Sequence, residues 1–585
     1  RMLRRWLIMP LTDKVSIEFR HNAVSLLMDK EELSSNLKTI LSGVGDLERL
    51  ASKASSAKIN PRELVQLRRG LESVIKVAEE AAGEEALLPT LERLSPCDKL
   101  LWRLEKELED EAPNQVGKGA VIKPGVNREL DQVRSLAFES HKALELIRER
   151  EVDKTGIISL KIGFNNVFGY YLEVRHAHKD KVPEEWIRKQ TLTQAERYIT
   201  EELKVLETQI LEAKDKALSL EQGLYESLVL ETVKNTTELI GNARAMGELD
   251  VLNCFASVAL EFGYTRPRIS ENHGVKIIEG RHPVIERQLP LGESYVSNNL
   301  TLDPENAQIL MVTGPNMSGK SALLRQTALI CLMAQSGGFV PARSAELGIL
   351  DRIFTRVGAS DNISSGESTF MVEMNETASI LNSITGRSLV LLDEIGRGTS
   401  TYDGVSIAWA IAEHLHGYEK IRPLTLFATH YHELNEMTAS FPRIRNCNVS
   451  VKEVDGSIVF LRKLVAGGSN HSFGINVAKL AGMPRALVRR AEEVLIKLES
   501  NRKENGESTN SGEPKISLVK LPSVEDSFNT KNIAAEPGVQ MSFFKLDDPA
   551  LEDVRDRLLD LDIDNLTPIN ALLKLHEIRK VVGGK

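Results

Sequence analysis

Apolar positions in the first half of the chain follow two periods. Leu203, Leu206, Ile210, Ala213, Ala217, Leu220 and Leu224 are spaced alternately three and four apart, the seam of a coiled coil or of a single amphipathic helix in a bundle. A second long helix is expected from Glu129 to Arg150, where Leu130, Val133, Ala137, Leu144 and Ile147 share one face, so the two can pair as antiparallel levers. Between them, Ile157 to Val174 alternates and is rich in β-branched and aromatic residues, including Phe164, Phe168, Tyr170 and Tyr171, with Gly163 and Gly169 read as turns or bulges. This pattern predicts a small β-rich tip on two helical arms.

Farther along, the apolar runs become continuous. Ile309–Thr313, Ser388–Leu392 and Leu424–Thr429 read as strands buried on both faces of a parallel sheet, and Ala322 to Ala334 has helical spacing. Gly474 to Glu499 reads as helices with Ala481-Gly482-Met483-Pro484 as the turn. From Asn501 to Gly538 the composition turns to Glu, Asn, Ser, Gly, Lys and Pro, which cannot bury enough surface to order itself.

The strands frame chemistry. Ile309–Thr313 runs straight into Gly314-Pro315-Asn316-Met317-Ser318-Gly319-Lys320-Ser321, a G-x-x-x-x-G-K-S loop. Such a loop wraps an anion with its backbone N–H groups. Lys320 can reach the β- and γ-phosphates, Ser321 can ligate Mg²⁺, and the helix that follows adds its N-terminal dipole. The second buried strand ends in Asp393-Glu394, where ligands bind in open α/β sheets. Asp393 is placed to hold the Mg²⁺ shell and Glu394 to polarise a water, as phosphoryl transfer requires. The third strand ends at His430, placed to contact a γ-phosphate or the attacking water. In the β-rich tip, Arg175, His176, His178, Lys179, Lys181, Arg188, Lys189 and Arg197 crowd together. Basic side chains supply affinity for the phosphates of duplex DNA without reading sequence. A solvated basic loop would look the same.

Composition narrows the setting. The chain has 585 residues, 42% apolar and 27% charged, enough for several domains with large cores. Its net charge of −9 argues against indiscriminate coating of nucleic acid, although binding depends on local charge. No apolar run is long enough for a membrane span and no signal peptide opens the chain. Cys97, Cys254, Cys331 and Cys447 lack metal-ligand spacing and suit reduced thiols, so a cytoplasmic protein is expected. The first residues already read as folded helix, so the chain is expected to be a piece of a longer protein.

Four motifs, Thr313–Met317, Ser364–Met374, Asp393–Ser400 and Ala428–Tyr431, together resemble the ATPase of the MutS family of DNA mismatch repair proteins. The resemblance extends from Arg4-Arg5-Trp6-Leu7 through Gly169-Tyr170-Tyr171 to Leu561–Pro568. It implies a bacterial ABC-type ATPase, dependent on ATP and Mg²⁺, that works as a homodimer on double-stranded DNA at the nucleoid and signals to a MutL-type partner. The serine-rich segment would complete the partner subunit's site, with Ser368 approaching its γ-phosphate. Asn316 would join the phosphate loop. Tyr295 would stack on adenine, or is a half-buried core tyrosine. Gly169-Tyr170-Tyr171 and Arg188-Lys189-Gln190-Thr191 match the family's clamp domain, which favours Arg175, Lys179, Lys181, Arg188 and Lys189 as DNA contacts. The usual family loop has Gly where this chain has Ser318 and Thr where it has Ala322. Neither change removes the lysine or the metal-binding hydroxyl.

The fold class expected is therefore mixed: a helical lever/core domain with an inserted β-rich clamp, then an α/β ABC-type P-loop ATPase with helical C-terminal elements. The expected boundaries are 1–140 for the first part of the lever/core, 141–200 for the clamp, 201–264 for the second part, 265–500 for the ATPase with a helical dimerisation element, 501–539 for a linker, and 540–585 for the C-terminal motif and helices. Gln540-Met541-Ser542-Phe543-Phe544 resembles a motif that docks on the replication sliding clamp, or is a staple for the next helix. The helices from Pro549 to Val582 resemble the family's oligomerisation domain, which admits a tetramer. No Phe in the chain is followed two residues later by Glu, the family's mismatch-reading wedge, so these residues are not expected to discriminate mismatches. Rival readings are a paralogue that suppresses recombination, a transport ATPase of the ABC type, and a non-catalytic DNA scaffold. The clamp insertion, the Gly366-Glu367-Ser368 signature and the intact Lys320, Ser321, Asp393 and Glu394 argue against each in turn.

Overall fold

A computed structural model describes residues 1–506 except 166, 168, 291, 358–368, 418–420, 455–456 and 469–473. Ser368, the Gln540–Phe544 motif, the helices expected from 549 and the rest of the expected linker, from 507 on, lie outside the described residues. The architecture is mixed helical and sheet, and residues Arg1–Lys497 form one compact unit.

The N-terminal helices α1 (Met2–Ile8), α2 (Lys14–Asp29), α3 (Glu31–Ser42), α4 (Leu47–Ser55), α5 (Pro61–Glu80), α6 (Leu88–Leu91) and α7 (Asp98–Glu107) share one apolar core, centred on residues such as Leu27, Leu50, Leu67 and Leu104. Two long arms leave it. Helix α8 spans Arg128–Thr155, opened by Asn127, whose side chain accepts from the Leu130 N–H, and closed by Gly156 at φ 66°. A small sheet intervenes: β1 (Lys161–Asn165), β2 (Gly169–Arg175), β3 (Ile187–Thr191) and β4 (Ala195–Ile199), antiparallel in the order β1-β2-β4-β3. Helix α9 (Glu201–Lys234) then starts at Thr200, whose side chain accepts from the Leu203 N–H.

The arms run antiparallel. Arg150 pairs with Glu202 near the sheet, while Lys216–Glu129 (2.8 Å) and Arg134–Glu221 (2.6 Å) join them farther down. The apolar seam read from the sequence is the face that α9 turns inward: Leu203 and Ile210 are buried, and Leu206, Ala213, Ala217, Leu220 and Leu224 are half-buried. Gly163 corrects an expectation. It is neither turn nor bulge but lies inside β1 opposite Tyr171, where a Cβ would sit 2.7 Å from the tyrosine hydroxyl. Gly169 does turn, at φ 76°, and any side chain there would collide with Glu207 of α9.

Helix α10 (Thr236–Phe262) returns to the N-terminal core and leads into β5 (Arg268–Ser270), β6 (Val275–Gly280), α11 (Ile285–Gln288) and β7 (Asn298–Leu302). The central sheet follows: β8 (Ile309–Thr313), α12 (Lys320–Ser336), β9 (Ser344–Gly348), β10 (Arg352–Val357), α13 (Thr369–Ser383), β11 (Ser388–Asp393), α14 (Thr401–Gly417), β12 (Leu424–Ala428), α15 (Met437–Ser440), β13 (Ile444–Val454) and β14 (Ser457–Ala466). Its order is β10-β11-β12-β8-β13-β14, parallel except for the final hairpin. A second sheet, β5-β9-β6-β7, packs with α12 over one face, and α13 and α14 cover the other. Double coverage explains why β8, β11 and β12 read as unbroken apolar runs. The last helices are α16 (Gly474–Leu480) and α17 (Arg485–Gly506), so α17 continues past residue 501, where the linker was expected to begin.

The far end of α12 is held by the N-terminal segment through α2 and by the turn after β9. Gln335 Nε2 donates to the Leu11 and Leu350 carbonyls, both at 2.8 Å, and Arg20 Nη1 donates to the Ser336 carbonyl at 2.8 Å. His21 Nε2 lies 3.0 Å from the Ala334 carbonyl, and burial holds that imidazole down to about 4.

Candidate functional site: the carboxyl ends of three parallel strands

Strand order places the chemistry. β12 lies between β8 and β11, so His430, just beyond β12, falls between the phosphate loop and the Asp393-Glu394 pair. The pairing also extends past the strands: Glu394 N–H donates to the Ala428 carbonyl at 2.9 Å and Thr429 N–H to the Val312 carbonyl at 3.0 Å. Three loops are thereby registered to one another by backbone bonds.

Within the phosphate loop, Gly314 (φ 141°) and Gly319 (φ 103°) take conformations open to glycine, but Met317 (φ 69°) takes a left-handed one with a side chain. Glu394 does the same at φ 56°. A left-handed non-glycine costs on the order of 1–3 kcal/mol, and such strain concentrates where a site must hold its shape. Lys320 is buried, and its Nζ donates to the Gly314 carbonyl at 2.7 Å and the Pro315 carbonyl at 3.1 Å. It also lies 3.6 Å from Glu394 Oε1. Burial pulls its pKa below the usual lysine range, opposed by Glu394 and Asp393.

Across from the lysine, Glu394 also forms an ion pair with Arg397. The Asn316 amide bridges the two when its NH2 faces Glu394 Oε1 at 3.2 Å and its oxygen accepts from Arg397 Nη2 at 3.1 Å. Asn316 and Glu394 are legible from the motifs. Arg397, in the same motif, is not, although a cation three residues beyond the acid was the available signal. The neighbouring Ser321 works to lower the pKa of Asp393, yet burial dominates and raises it, with Glu394 adding to the rise. Its Oδ1 is buried without a hydrogen-bond partner, as are Ser318 Oγ and His430 Nδ1. Burial, and then Arg397, lower the pKa of His430.

An unpartnered buried polar atom costs about 1–3 kcal/mol, so a cluster of them marks a place built for something else to bind. A carboxylate oxygen and a neighbouring hydroxyl fit a hard cation that takes the rest of its shell from phosphate and water. No cluster of three or more His, Cys, Asp and Glu that could hold a metal ion occurs among the described residues. Tyr295 is half-buried, and its hydroxyl donates to Gln326 Oε1 of α12 at 2.9 Å; burial pushes its pKa up to about 12.

The basic tip is arranged differently. Arg175, Lys179, Lys181, Arg188 and Lys189 are all exposed. Lys179 (3.2 Å) and Arg188 (3.6 Å) are drawn to Glu196, a buried carboxylate that also accepts from Tyr198. Arg197 stacks 4.2 Å from the Tyr171 ring centroid and pairs with Glu173. Arg175, Lys181 and Lys189 make no ion pair among the described residues.

Comparison with known proteins accords with this geometry. The family model MutS domain III matches residues 1–256, and MutS domain V matches residues 310–499. The DNA mismatch repair protein MutS of Christiangramia forsetii is 55% identical over 585 residues, covering 100% of this chain and 65% of the relative. Those of Parabacteroides distasonis and Cytophaga hutchinsonii are 53% and 50% identical, each covering 100% of this chain and 66% of the relative. The chain thus spans about 65% of the length of the curated relatives it matches. Over the helical bundle with its arms and over the phosphate-loop sheet alike, the chain belongs to the MutS family.

Proposed function

We propose that the chain hydrolyses ATP at the Gly314–Ser321 loop and uses that cycle to control its hold on duplex DNA during mismatch repair. One observation supports this above the others. Lys320 rests on two carbonyls of its own loop, beside Glu394 and an Asp393 oxygen that has no partner. Phosphate oxygens can replace those carbonyls, at a helix N-terminus that favours negative charge.

In this reading Lys320 swings from the Gly314 and Pro315 carbonyls to the β- and γ-phosphates. Ser321 and Asp393 would hold Mg²⁺, which supplies neutralisation of charge on the transferring phosphoryl group. Glu394, aligned by Asn316 and Arg397, orients and polarises the attacking water. His430 contacts the γ-phosphate or the attacking water. Gly314 to Ser318 cradle the nucleotide and Tyr295 flanks the base. The domain boundaries given above, with the one at 500/501 moved beyond the end of α17 at Gly506, a homodimer in which Ser368 completes the opposite site, a tetramer through 549–582, sliding-clamp docking through 540–544, a MutL-type partner, and a cytoplasmic setting at the nucleoid complete the proposal.

The test is hydrolysis of ATP by the purified chain with Mg²⁺, with duplex affinity measured with and without nucleotide. Mg²⁺-dependent turnover together with nucleotide-dependent DNA affinity supports the proposal. DNA affinity indifferent to ATP, or no turnover, overturns it.

A further inference from the structure

Gly396 lies two residues beyond Glu394, and both its backbone polar groups are claimed by side chains from other elements. Its N–H donates to Glu373 Oε1 at 2.5 Å, a buried carboxylate on α13. Its carbonyl accepts from the Tyr431 hydroxyl at 2.9 Å, next to His430. The approach is close on every side. A Cβ at Gly396 would meet Gly404 backbone atoms at 2.7 Å, and one at Gly404 would meet the Tyr431 hydroxyl at 2.3 Å. Two residues on, a Cβ at Gly398 would sit 2.8 Å from Phe370 Cβ, so the first turn of α13 packs on the same loop.

We infer that Glu373 is a positioning residue for Glu394: by accepting from the Gly396 N–H it fixes the turn that keeps Glu394 aimed at the nucleotide. The inference rests on the proposed role of Glu394. Glu394 sits at φ 56° and Gly396 at φ 90°, so the turn uses two left-handed residues in three and relaxes unless its surroundings over-determine it. The Glu394 N–H bond to the Ala428 carbonyl fixes one end. At the other end the charged acceptor is Glu373, and a bond from an N–H to a carboxylate is among the stronger kinds. Arg356 of β10, with Nη2 3.8 Å from Glu373 Oε2, and Glu376, 3.1 Å from Arg356 Nε, hold the carboxylate in place. Sequence alone gave no sign of this, because Glu373 and Gly396 lie in separate motifs.

The experiment compares Glu373→Ala, Glu373→Gln, Tyr431→Phe and Glu394→Ala in the full chain, with kcat, KM, ATP affinity by titration, and deuterium uptake of a peptide covering 394–398. Gln keeps an oxygen that can accept from Gly396 but loses the charge facing Arg356; Ala loses both. The expected result is a kcat lowered about tenfold or more in Glu373→Ala, with ATP affinity within about twofold of the parent, since the buried Gly396 N–H is left without an acceptor. Glu373→Gln should recover kcat to within about threefold of the parent, and uptake at 394–398 should rise in Ala but not in Gln. If Glu373→Ala does not fold, Tyr431→Phe carries the test: kcat falls several-fold with ATP affinity kept. Equal damage from Gln and Ala would assign Glu373 to its ion pair with Arg356 and overturn the inference. So would parental kcat in Glu373→Ala while Glu394→Ala is inactive. Parental hydrolysis by Glu394→Ala would remove the role of Glu394 itself, and the inference with it.

Discussion

At the phosphate loop, buried polar atoms are left without partners, while in the small sheet on the α8–α9 arms buried charge is neutralised where it stands. Asp393 Oδ1, Ser318 Oγ and His430 Nδ1 have no partner, and two residues with side chains, Met317 and Glu394, are held in left-handed backbone. In the sheet, Glu196 gathers Tyr198, Lys179 and Arg188, and Arg197 is spent on Tyr171 and Glu173. The first pattern stores binding capacity at some cost in stability. The second commits part of its basic charge to its own fold, so counting lysines and arginines overstates what remains for DNA.

The sharpest way to break this contrast is to remove the group that acts only during turnover. Glu394→Ala should lower single-turnover hydrolysis by about 10²- to 10⁴-fold, the range for a lost general base, while ATP affinity stays near the parent. A fall in affinity matching the fall in rate would make Glu394 a binding group.

Next comes the division within the tip. Replacing Arg175, Lys181 and Lys189 together by Ala should weaken duplex binding and reduce the slope of log affinity against log salt by up to about 3, roughly 1 for each phosphate that is no longer neutralised. Lys179→Ala and Arg188→Ala should each change that slope less and instead lower the stability of the sheet slightly, by no more than about 1 kcal/mol for an exposed pair. Equal slopes in all variants would erase the distinction.

A smaller effect follows from Glu196. Hydrogen bonding from Tyr198, then Lys179, holds its pKa below the usual carboxylate range, although the residue is covered rather than deeply interior. A depressed carboxylate stabilises the fold above its ordinary pKa, and that contribution is lost as pH falls through the folded value. Glu196→Gln should therefore be less stable than the parent at pH 7, and the difference should shrink below about pH 4.5. A difference that grows on acidification would contradict the assignment. The smallest effect expected is none: a G·T mismatch and a matched duplex should bind within about twofold at equal salt, because phosphate contacts carry no sequence information. A tenfold preference, about 1.4 kcal/mol, would mean that these residues read DNA deformability.

The two regions were unequally legible, and the reason is physical. Strand, glycine loop, lysine and helix are contiguous because an anion cradle needs them contiguous, so Gly314–Ser321 is legible as a candidate from the sequence. The arms were legible because a helix turns one face inward, which is why Leu203, Leu206 and Ile210 could be placed. What escaped depended on approach between distant segments. The Glu373–Gly396 bond joins residues 23 apart, and Tyr295 meets Gln326 across 31. Glu196 reads as an ordinary acidic residue until the register of β2, β3 and β4 places it among Tyr198, Lys179 and Arg188. Gly163 was misassigned because glycine in an alternating run signals either a bend or room for a neighbour, and only the pairing with Tyr171 decides.

The central claim, that the loop at 314–321 binds ATP and the acid at 394 works on it afterwards, is tested most directly by titrating ATP into Lys320→Ala and Glu394→Ala side by side. The account predicts that Lys320→Ala loses affinity by roughly 10- to 150-fold, as expected for charged hydrogen bonds of about 1.5–3 kcal/mol, while Glu394→Ala binds like the parent and does not hydrolyse. Equal affinity of Lys320→Ala and the parent for ATP would contradict it.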